Sequence, residues 1–141
     1  MMLTQETLKS FVLGFNTASK RFSIREPLPT LNEYTLATRS NMYASANMKK
    51  KAERGIMTEA KYQLRTWKTD KPVFLVFKWV EKNQRRDKDN VAFAKKFILD
   101  ALVELEVLQG DSWKYVVGFI DLFEIDKSDP RVEVTILEVE E

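Results

Sequence analysis

The chain has 141 residues, of which 44% are hydrophobic and 31% are charged, and it contains no cysteine and no histidine. These values are ordinary for a single soluble globular domain that can bury a core. The missing residue types exclude disulfides, thiolate zinc sites, cysteine nucleophiles and a histidine general base. Any catalysis must therefore use carboxylates, lysine, tyrosine, serine or a hard metal ion. No apolar run of about 18 residues and no leader with a cleavage site is present, so we expect a cytoplasmic protein that does not enter a membrane.

The net charge of +2 hides an uneven distribution along the chain. Residues 38–96 contain 16 lysines and arginines against 6 acidic residues, whereas the rest of the chain contains 7 against 15. Such a basic block predicts a surface that binds a polyanion such as DNA, although solvated helix faces also carry isolated lysines. The candidate phosphate-binding residues are Lys49, Lys50, Lys51, Arg54, Lys82, Arg85 and Arg86.

The first part of the chain predicts an extension, a strand and a helical region. Residues 1–20 are interpreted as an N-terminal extension, helical or irregular, ahead of a main domain over residues 21–141. Arg21–Glu26 is predicted to be a strand that ends at two prolines, which cannot donate to a β-ladder. Residues 37–67 are rich in Ala, Met, Lys and Glu, which predicts one long helix or two, with Gly55 as the candidate break.

A strong strand prediction covers Pro72–Val80 and leads directly into two acids, Asp87 and Asp89, which we call the acidic pair. Side chains at i and i+2 of an extended segment point to the same side, so the pair can share a cation. Mg2+ is held in proteins by one or two carboxylates together with water or phosphate oxygens. The neighbouring Arg85 and Arg86 suit a phosphodiester substrate, because guanidinium groups bind phosphate oxygens in a bidentate way.

The next predicted element is a helix over about Asn90–Val107 with a clear apolar stripe. This helix gives the acidic pair a second interpretation, because Asp and Asn are favoured N-caps and either Asp89 or Asn90 can cap it. Asp111 comes shortly after the helix and directly follows Gly110, where a turn can bring the chain back beside the helix start or the neighbouring strand. Asp111 is therefore the best candidate for a third acid in a metal site.

Two further strands are predicted over Tyr115–Ile125 and Arg131–Val139, joined by a turn at residues 127–130. The order strand, helix, strand, helix, strand, strand predicts an α+β fold with a small mixed sheet packed with helices. No internal repeat or low-complexity linker divides the chain, which indicates one domain.

Residues 85–111 resemble the RusA family of Holliday junction resolvases, small phage- and prophage-associated endonucleases that cut four-way DNA junctions. The family pattern is a basic run, Asp-x-Asp-Asn, a lysine, a Leu-Asp-Ala-Leu-like helix segment and a later Asp. The matching residues in this chain are Arg85, Arg86, Asp87, Asp89, Asn90, Lys96, Leu99–Leu102 and Asp111. Residues 28–34 also resemble the proline-containing strand exit near the start of these proteins.

The family lysine needs a choice, since the segment from Asp89 to Asp100 is about one helical turn longer than the family pattern. Registration from Asp100 assigns the lysine to Lys96, and the adjacent Lys95 stays a substitute. Lys96 also stands four residues before Asp100, a spacing at which a surface ion pair contributes only about 0.2–0.5 kcal/mol to a helix. The residues leave both the functional and the structural interpretation of Lys96 open.

The resemblance implies a RusA-like, Mg2+-dependent endodeoxyribonuclease in DNA recombination and repair, with Asp87, Asp89 and Asp111 as the Mg2+ ligands. Lys96 would add charge at the scissile phosphate, and Asn90 would cap a helix or contact the junction. The resemblance also implies a homodimer, because two symmetric sites can cut two strands of like polarity. Two alternatives stay open: another Mg2+-dependent nuclease with the same acids, and a non-catalytic DNA-binding phage protein whose acidic pair only caps a helix.

Overall fold

The structure is a computed structural model that describes residues 4, 6, 7, 10 and 20–140. Apart from Lys20 and those first four positions, the predicted extension over residues 1–20 lies outside the described residues. The strands are β1 (Lys20–Ile24), β2 (Val73–Glu81), β3 (Val116–Ile125) and β4 (Arg131–Glu138). The helices of residues 20–140 are α1 (Leu31–Ser40), α2 (Met42–Leu64), α3 (Lys88–Ala92) and α4 (Lys95–Glu104). In the described part of the chain, no helix is long and apolar enough to cross a membrane.

The strands form one mixed sheet in the order β1-β4-β2-β3. β4 lies between β1 and β2 and is antiparallel to both, whereas β3 pairs in parallel with β2. A parallel pair needs a crossover connection, and α3 and α4 lie in the connection between β2 and β3. The predicted α+β domain with a small mixed sheet and helices is confirmed.

One face of the sheet supplies the core. Alternate residues of β2, namely Val73, Leu75, Phe77 and Trp79, are at most 1% exposed and belong to one cluster with apolar residues of α2 and α4. The alternation follows from the two-residue period of a strand. Burial of a large apolar side chain contributes about 1.5–3 kcal/mol. The central strand therefore anchors both the helices and the loop that follows Glu81.

The helical region of residues 37–67 breaks at Asn41, and the predicted break at Gly55 is wrong. Asn41 serves both helices, because its backbone N–H donates to the Ala37 carbonyl at 3.2 Å and its side chain accepts from the Ala44 N–H at 2.7 Å. α2 continues through Gly55 without interruption. A β carbon at this position would only require the end of the exposed Glu26 side chain to move.

The single helix predicted over Asn90–Val107 is in fact two helices. The junction lies at Phe93 and Ala94, where the Ala94 N–H donates to the Val91 carbonyl and the Lys96 N–H donates to the Phe93 carbonyl, both at 3.3 Å. Bonds from i to i−3 tighten the helix locally. The junction therefore separates the acidic pair from the two lysines by a short tightened segment.

The remaining predicted elements agree with the structure to within about two residues, the usual uncertainty of element ends. The predicted turn at residues 127–130 is confirmed. Its start is fixed by Asp126, whose carboxylate accepts hydrogen bonds from the Ser128 N–H at 3.1 Å and the Ser128 hydroxyl at 2.8 Å. An Asp side chain that bonds to the backbone two residues on is a typical turn device.

Candidate functional site

The acidic pair lies where the chain leaves β2 and enters α3. Asp87 occupies the N-cap position of α3 with extended dihedral angles (φ −66°, ψ 151°), but its side chain makes no capping hydrogen bond. Asp89 already belongs to the first turn of α3. The prediction that both acids project from one extended segment is therefore wrong. The prediction that Asp89 or Asn90 occupies the N-cap of this helix is also wrong.

Both carboxylates of the acidic pair are open to solvent. Asp87 and Asp89 are exposed, and within the described residues neither side chain takes part in a hydrogen bond or an ion pair. By contrast, Asp100, Asp111 and Asp121 each have a lysine neighbour. The pair is thus free to bind a cation or a solvent molecule.

The side chain of Asn90, which belongs to α3, caps the start of a different helix, α1. Its side-chain oxygen accepts a hydrogen bond from the Asn32 backbone N–H at 2.9 Å, in the first turn of α1. The same helix end carries a capping box, in which Thr30 and Glu33 bond to each other's backbone N–H at 3.2 and 3.1 Å. Asn90 therefore fastens α3 to α1 directly beside the acidic pair.

Asp111 lies beside Lys96, which stands six residues after the helix start at Asn90 that the sequence predicts. Its carboxylate lies 3.7 Å from the Lys96 ammonium in the first turn of α4. The i,i+4 pair of Lys96 with Asp100 is also present, at 3.0 Å. The hydrogen bond that Lys96 donates to Asp100, with the nearby charges of Asp100 and Asp111, raises the pKa of Lys96 above its ordinary value of 10.5. Lys96 is consequently a permanent cation that is 60% exposed.

The neighbouring Lys95 faces a different environment. Its ammonium pairs with Asp121 of β3 and lies 4.1 Å from the ring centre of Phe119, within the range of a cation–π interaction. Asp121 is held from the other side by the Trp79 indole N–H at 2.9 Å. The Lys95 side chain is only 17% exposed.

Asp121 is the residue that the sequence analysis missed. One signal was available, since an acid inside the apolar run of Val116–Ile125 needs a partner when the strand packs. The sequence does not identify that partner, because Lys95 and Trp79 contact Asp121 only when α4 packs across the sheet.

The uneven charge of the sequence is partly cancelled by folding. Lysines of residues 38–96 pair with acids from the rest of the chain, for example Lys49 with Asp100 at 3.3 Å and Lys78 with Glu124 at 2.9 Å. Arg86 forms a bidentate pair with Glu81 at 3.0 and 3.1 Å. In the part of the chain that the structure describes, the candidate phosphate-binding residues without an ion pair are Lys50, Lys51, Arg54, Lys82 and Arg85.

The acids fit Mg2+ in their chemistry and only partly in their arrangement. The two open carboxylates of the acidic pair are the hard oxygen donors that Mg2+ prefers, and Mg2+ commonly keeps its other positions for water or phosphate. Among residues 4, 6, 7, 10 and 20–140, however, no group of three acidic side chains is placed to hold a metal ion. The predicted third acid, Asp111, is engaged by Lys96.

No protein-family model matches this sequence, and no curated protein matches it. The resemblance to the RusA family therefore depends on the residues and spacings of positions 85–111 themselves. It is a hypothesis that biochemical measurement has to test.

Proposed function

We propose that the protein is a Mg2+-dependent endodeoxyribonuclease that cuts branched DNA, with a four-way junction as its preferred substrate. The observation that carries the proposal is the open acidic pair at the start of α3, directly after a buried strand. In the first turn of α4, the exposed Lys96 lies 3.7 Å from Asp111. Arg85 and Arg86 precede the acidic pair directly.

The acids would act as ligands. Asp87 and Asp89 would hold Mg2+, with Asp111 as a third ligand, and the bound ion would supply a water of lowered pKa and positive charge for the transition state. Asn90 stabilises the acidic pair by bonding α3 to α1, so the carboxylates start from an ordered position. Ordered ligands matter because small displacements of reacting groups are costly in rate.

Lys96 is the better candidate for the functional lysine. Its 60% exposure leaves its ammonium able to meet a phosphate oxygen. A fixed cation beside a reacting phosphate stabilises the charge that develops in the transition state. Lys95 is less suited to this role, because Asp121 and the Phe119 ring already occupy its ammonium.

The DNA backbone would contact the cations that folding leaves without ion pairs. Lys50, Lys51 and Arg54 lie on consecutive turns of α2, and Lys82 and Arg85 lie in the loop before α3. Contacts of this kind position DNA without reading its sequence. A homodimer would present two such sites to one junction, which the symmetry of junction cutting requires.

The test is cleavage of a labelled four-way junction and of the matching linear duplex, with Mg2+ or with EDTA. Wild type should make paired symmetrical nicks near the branch that require Mg2+. Asp89→Asn should lower the cleavage rate by about 10³-fold or more while junction binding survives, because it removes a charged ligand. Asp70→Asn is the matched control, since Asp70 is also exposed but lies outside the site.

Other outcomes point to the two alternatives. Faster cleavage of linear or flap DNA than of the junction would indicate a different Mg2+-dependent nuclease. Junction binding that is indifferent to Mg2+, without cleavage and with Asp89→Asn behaving like wild type, would indicate a non-catalytic DNA-binding protein. The absence of a preformed three-acid group among the described residues is the observation that favours this last alternative.

A further inference from the structure

A cavity of about 410 Å³ lies beside the acidic pair. It is enclosed by the loop between β1 and α1, the end of β2, the loop before α3, the inner side of α3 and the start of β4. Its size falls within the range of pockets that bind small molecules or single groups of a larger ligand. Arg85 and Arg86 line it, and Asp87 follows Arg86 directly in the chain.

The floor of the cavity is apolar. Ile24, Trp79, Val91 and Ala94 line it and are at most 7% exposed, and the half-buried Leu28 lines it from the loop before α1. These residues belong to three separate parts of the chain, so the apolar surface is formed by the fold. Such a floor favours an apolar or weakly polar group, such as the ring of a base, over a charged one.

The rim of the cavity is cationic. Five basic residues line the cavity against two glutamates, Glu26 and Glu81. Three of the five are held in place by acids, as Arg25 is by Asp129 at 3.0 and 3.1 Å, so they contribute orientation more than free charge. Lys82 and Arg85 have no ion pair within the described residues and leave their charge available.

We propose that this cavity takes one unstacked nucleotide of the branched DNA, with the base on the apolar floor and its phosphate on Lys82 and Arg85. The inference rests on the proposed function and names which part of that substrate the cavity binds. The combination of a flat apolar group with an attached anion is what distinguishes a nucleotide from an apolar ligand or a free phosphate. Extruding a base from a stacked duplex is unfavourable, and it is least unfavourable where pairing is already disturbed, which favours bases at a branch.

The experiment uses a four-way junction in EDTA, with a fluorescent adenine analogue placed in turn at each position around the branch. The emission of such an analogue rises when the base leaves the stack. Wild type should raise the emission severalfold at one or two positions. Leu28→Trp, which fills the cavity from a loop, should abolish this rise, whereas Leu36→Trp on exposed α1 surface should preserve it.

A second pair of variants protects the test against misfolding of Leu28→Trp. Arg85→Gln with Lys82→Gln should reduce the emission rise severalfold, and the equally exposed control Lys50→Gln with Lys51→Gln should weaken binding without removing the rise at saturation. If the junction is cut with Mg2+ but no position brightens, or brightening is unchanged by Leu28→Trp, the cavity proposal fails and the nuclease proposal stands. If the junction is neither bound nor cut, both proposals fail.

Discussion

The two sides of the first turn of α4 differ sharply although the lysines that define them are adjacent. On the sheet side, Lys95 is enclosed by Asp121, Phe119 and the strand residues around them and is 17% exposed. On the α2 side, Lys96 is 60% exposed and lies between Asp100 and Asp111. One lysine is fixed by the fold, and the other is left available to solvent.

The α2 side is also a chain of alternating charges. From α2 to the loop before β3 it runs Glu53, Lys49, Asp100, Lys96 and Asp111, with successive distances of 3.9, 3.3, 3.0 and 3.7 Å. Each residue of this chain except Glu53 and Asp111 has two oppositely charged partners. The loss of one ion pair therefore leaves such a residue with another. On the sheet side, Lys95 pairs with Asp121, and no second acid among the described residues pairs with it. The difference predicts that the two sides respond unequally to the loss of an acid.

The largest expected effect is on the sheet side. Asp121→Ala leaves the poorly exposed Lys95 without its counter-charge and the Trp79 N–H without its acceptor, and should lower the free energy of unfolding by about 2–4 kcal/mol. Asp111→Ala on the α2 side should change it by less than about 0.5 kcal/mol. Urea unfolding of both variants measures the contrast. Equal losses would show that the two sides are energetically alike.

A substitution at Glu53 is expected to have a smaller effect, which raises the free energy of unfolding instead of lowering it. Burial raises the pKa of Glu53 above its ordinary value of 4.5, and one of its carboxylate oxygens has no hydrogen-bond partner within the described residues. A raised pKa means that this group favours folding below pH 4.5 and that the benefit is lost as pH rises through the folded value. Glu53→Gln should therefore stabilise the protein at neutral pH by about 1 kcal/mol, the size of one hydrogen bond.

The pH dependence separates this explanation from a simple packing effect. The gain from Glu53→Gln should shrink as pH falls towards 4.5, where the wild-type side chain is protonated too. Thermal unfolding of both proteins across this range measures it, with Glu140→Gln as an exposed control that should change little. A gain that is independent of pH would contradict the role of charge.

Most of the fold was predictable because its signals are local. Aromatic and β-branched residues predict strand β2. Asp and Pro residues predict the turn near Ser128. The helix boundaries were less readable. Asn41 outweighs Gly55 as a break, because its backbone N–H caps the end of α1 and its side chain caps the start of α2, whereas a glycine alone does not end a helix.

The sequence selects the residues of the candidate site, but their arrangement depends on the fold. The loop at Gly110 brings Asp111 beside Lys96 of α4, and among the described residues no group of three acids forms with the acidic pair. The start of α3 at Lys88 was missed, which removed the expected extended geometry of the acidic pair. Asp121 and the cavity were beyond reach, because both depend on contacts between segments far apart in the chain.

The smallest expected effect on stability is that of Lys96→Met. Asp100 keeps Lys49 at 3.3 Å when Lys96 is removed, so the loss should not exceed about 0.5 kcal/mol. The raised pKa of Lys96 gives the sign of its pH dependence: its contribution is complete below pH 10.5 and disappears as pH rises beyond the folded value. Wild type and variant should thus converge in unfolding temperature at high pH.

The same variant separates the two lysines in function. Under the proposed mechanism Lys96→Met should lower junction cleavage by about 10²-fold with stability nearly unchanged, since the lysine acts on the phosphate and not on the fold. Lys95→Met should lower stability more, because it leaves Asp121 unpaired in a poorly exposed position. If Lys95→Met abolishes cleavage in protein that remains folded while Lys96→Met cuts normally, the enclosed lysine is the functional one. Asp121 and Trp79 would then be the residues that orient it, and the ion-pair chain on the α2 side would serve only to join α2 to α4.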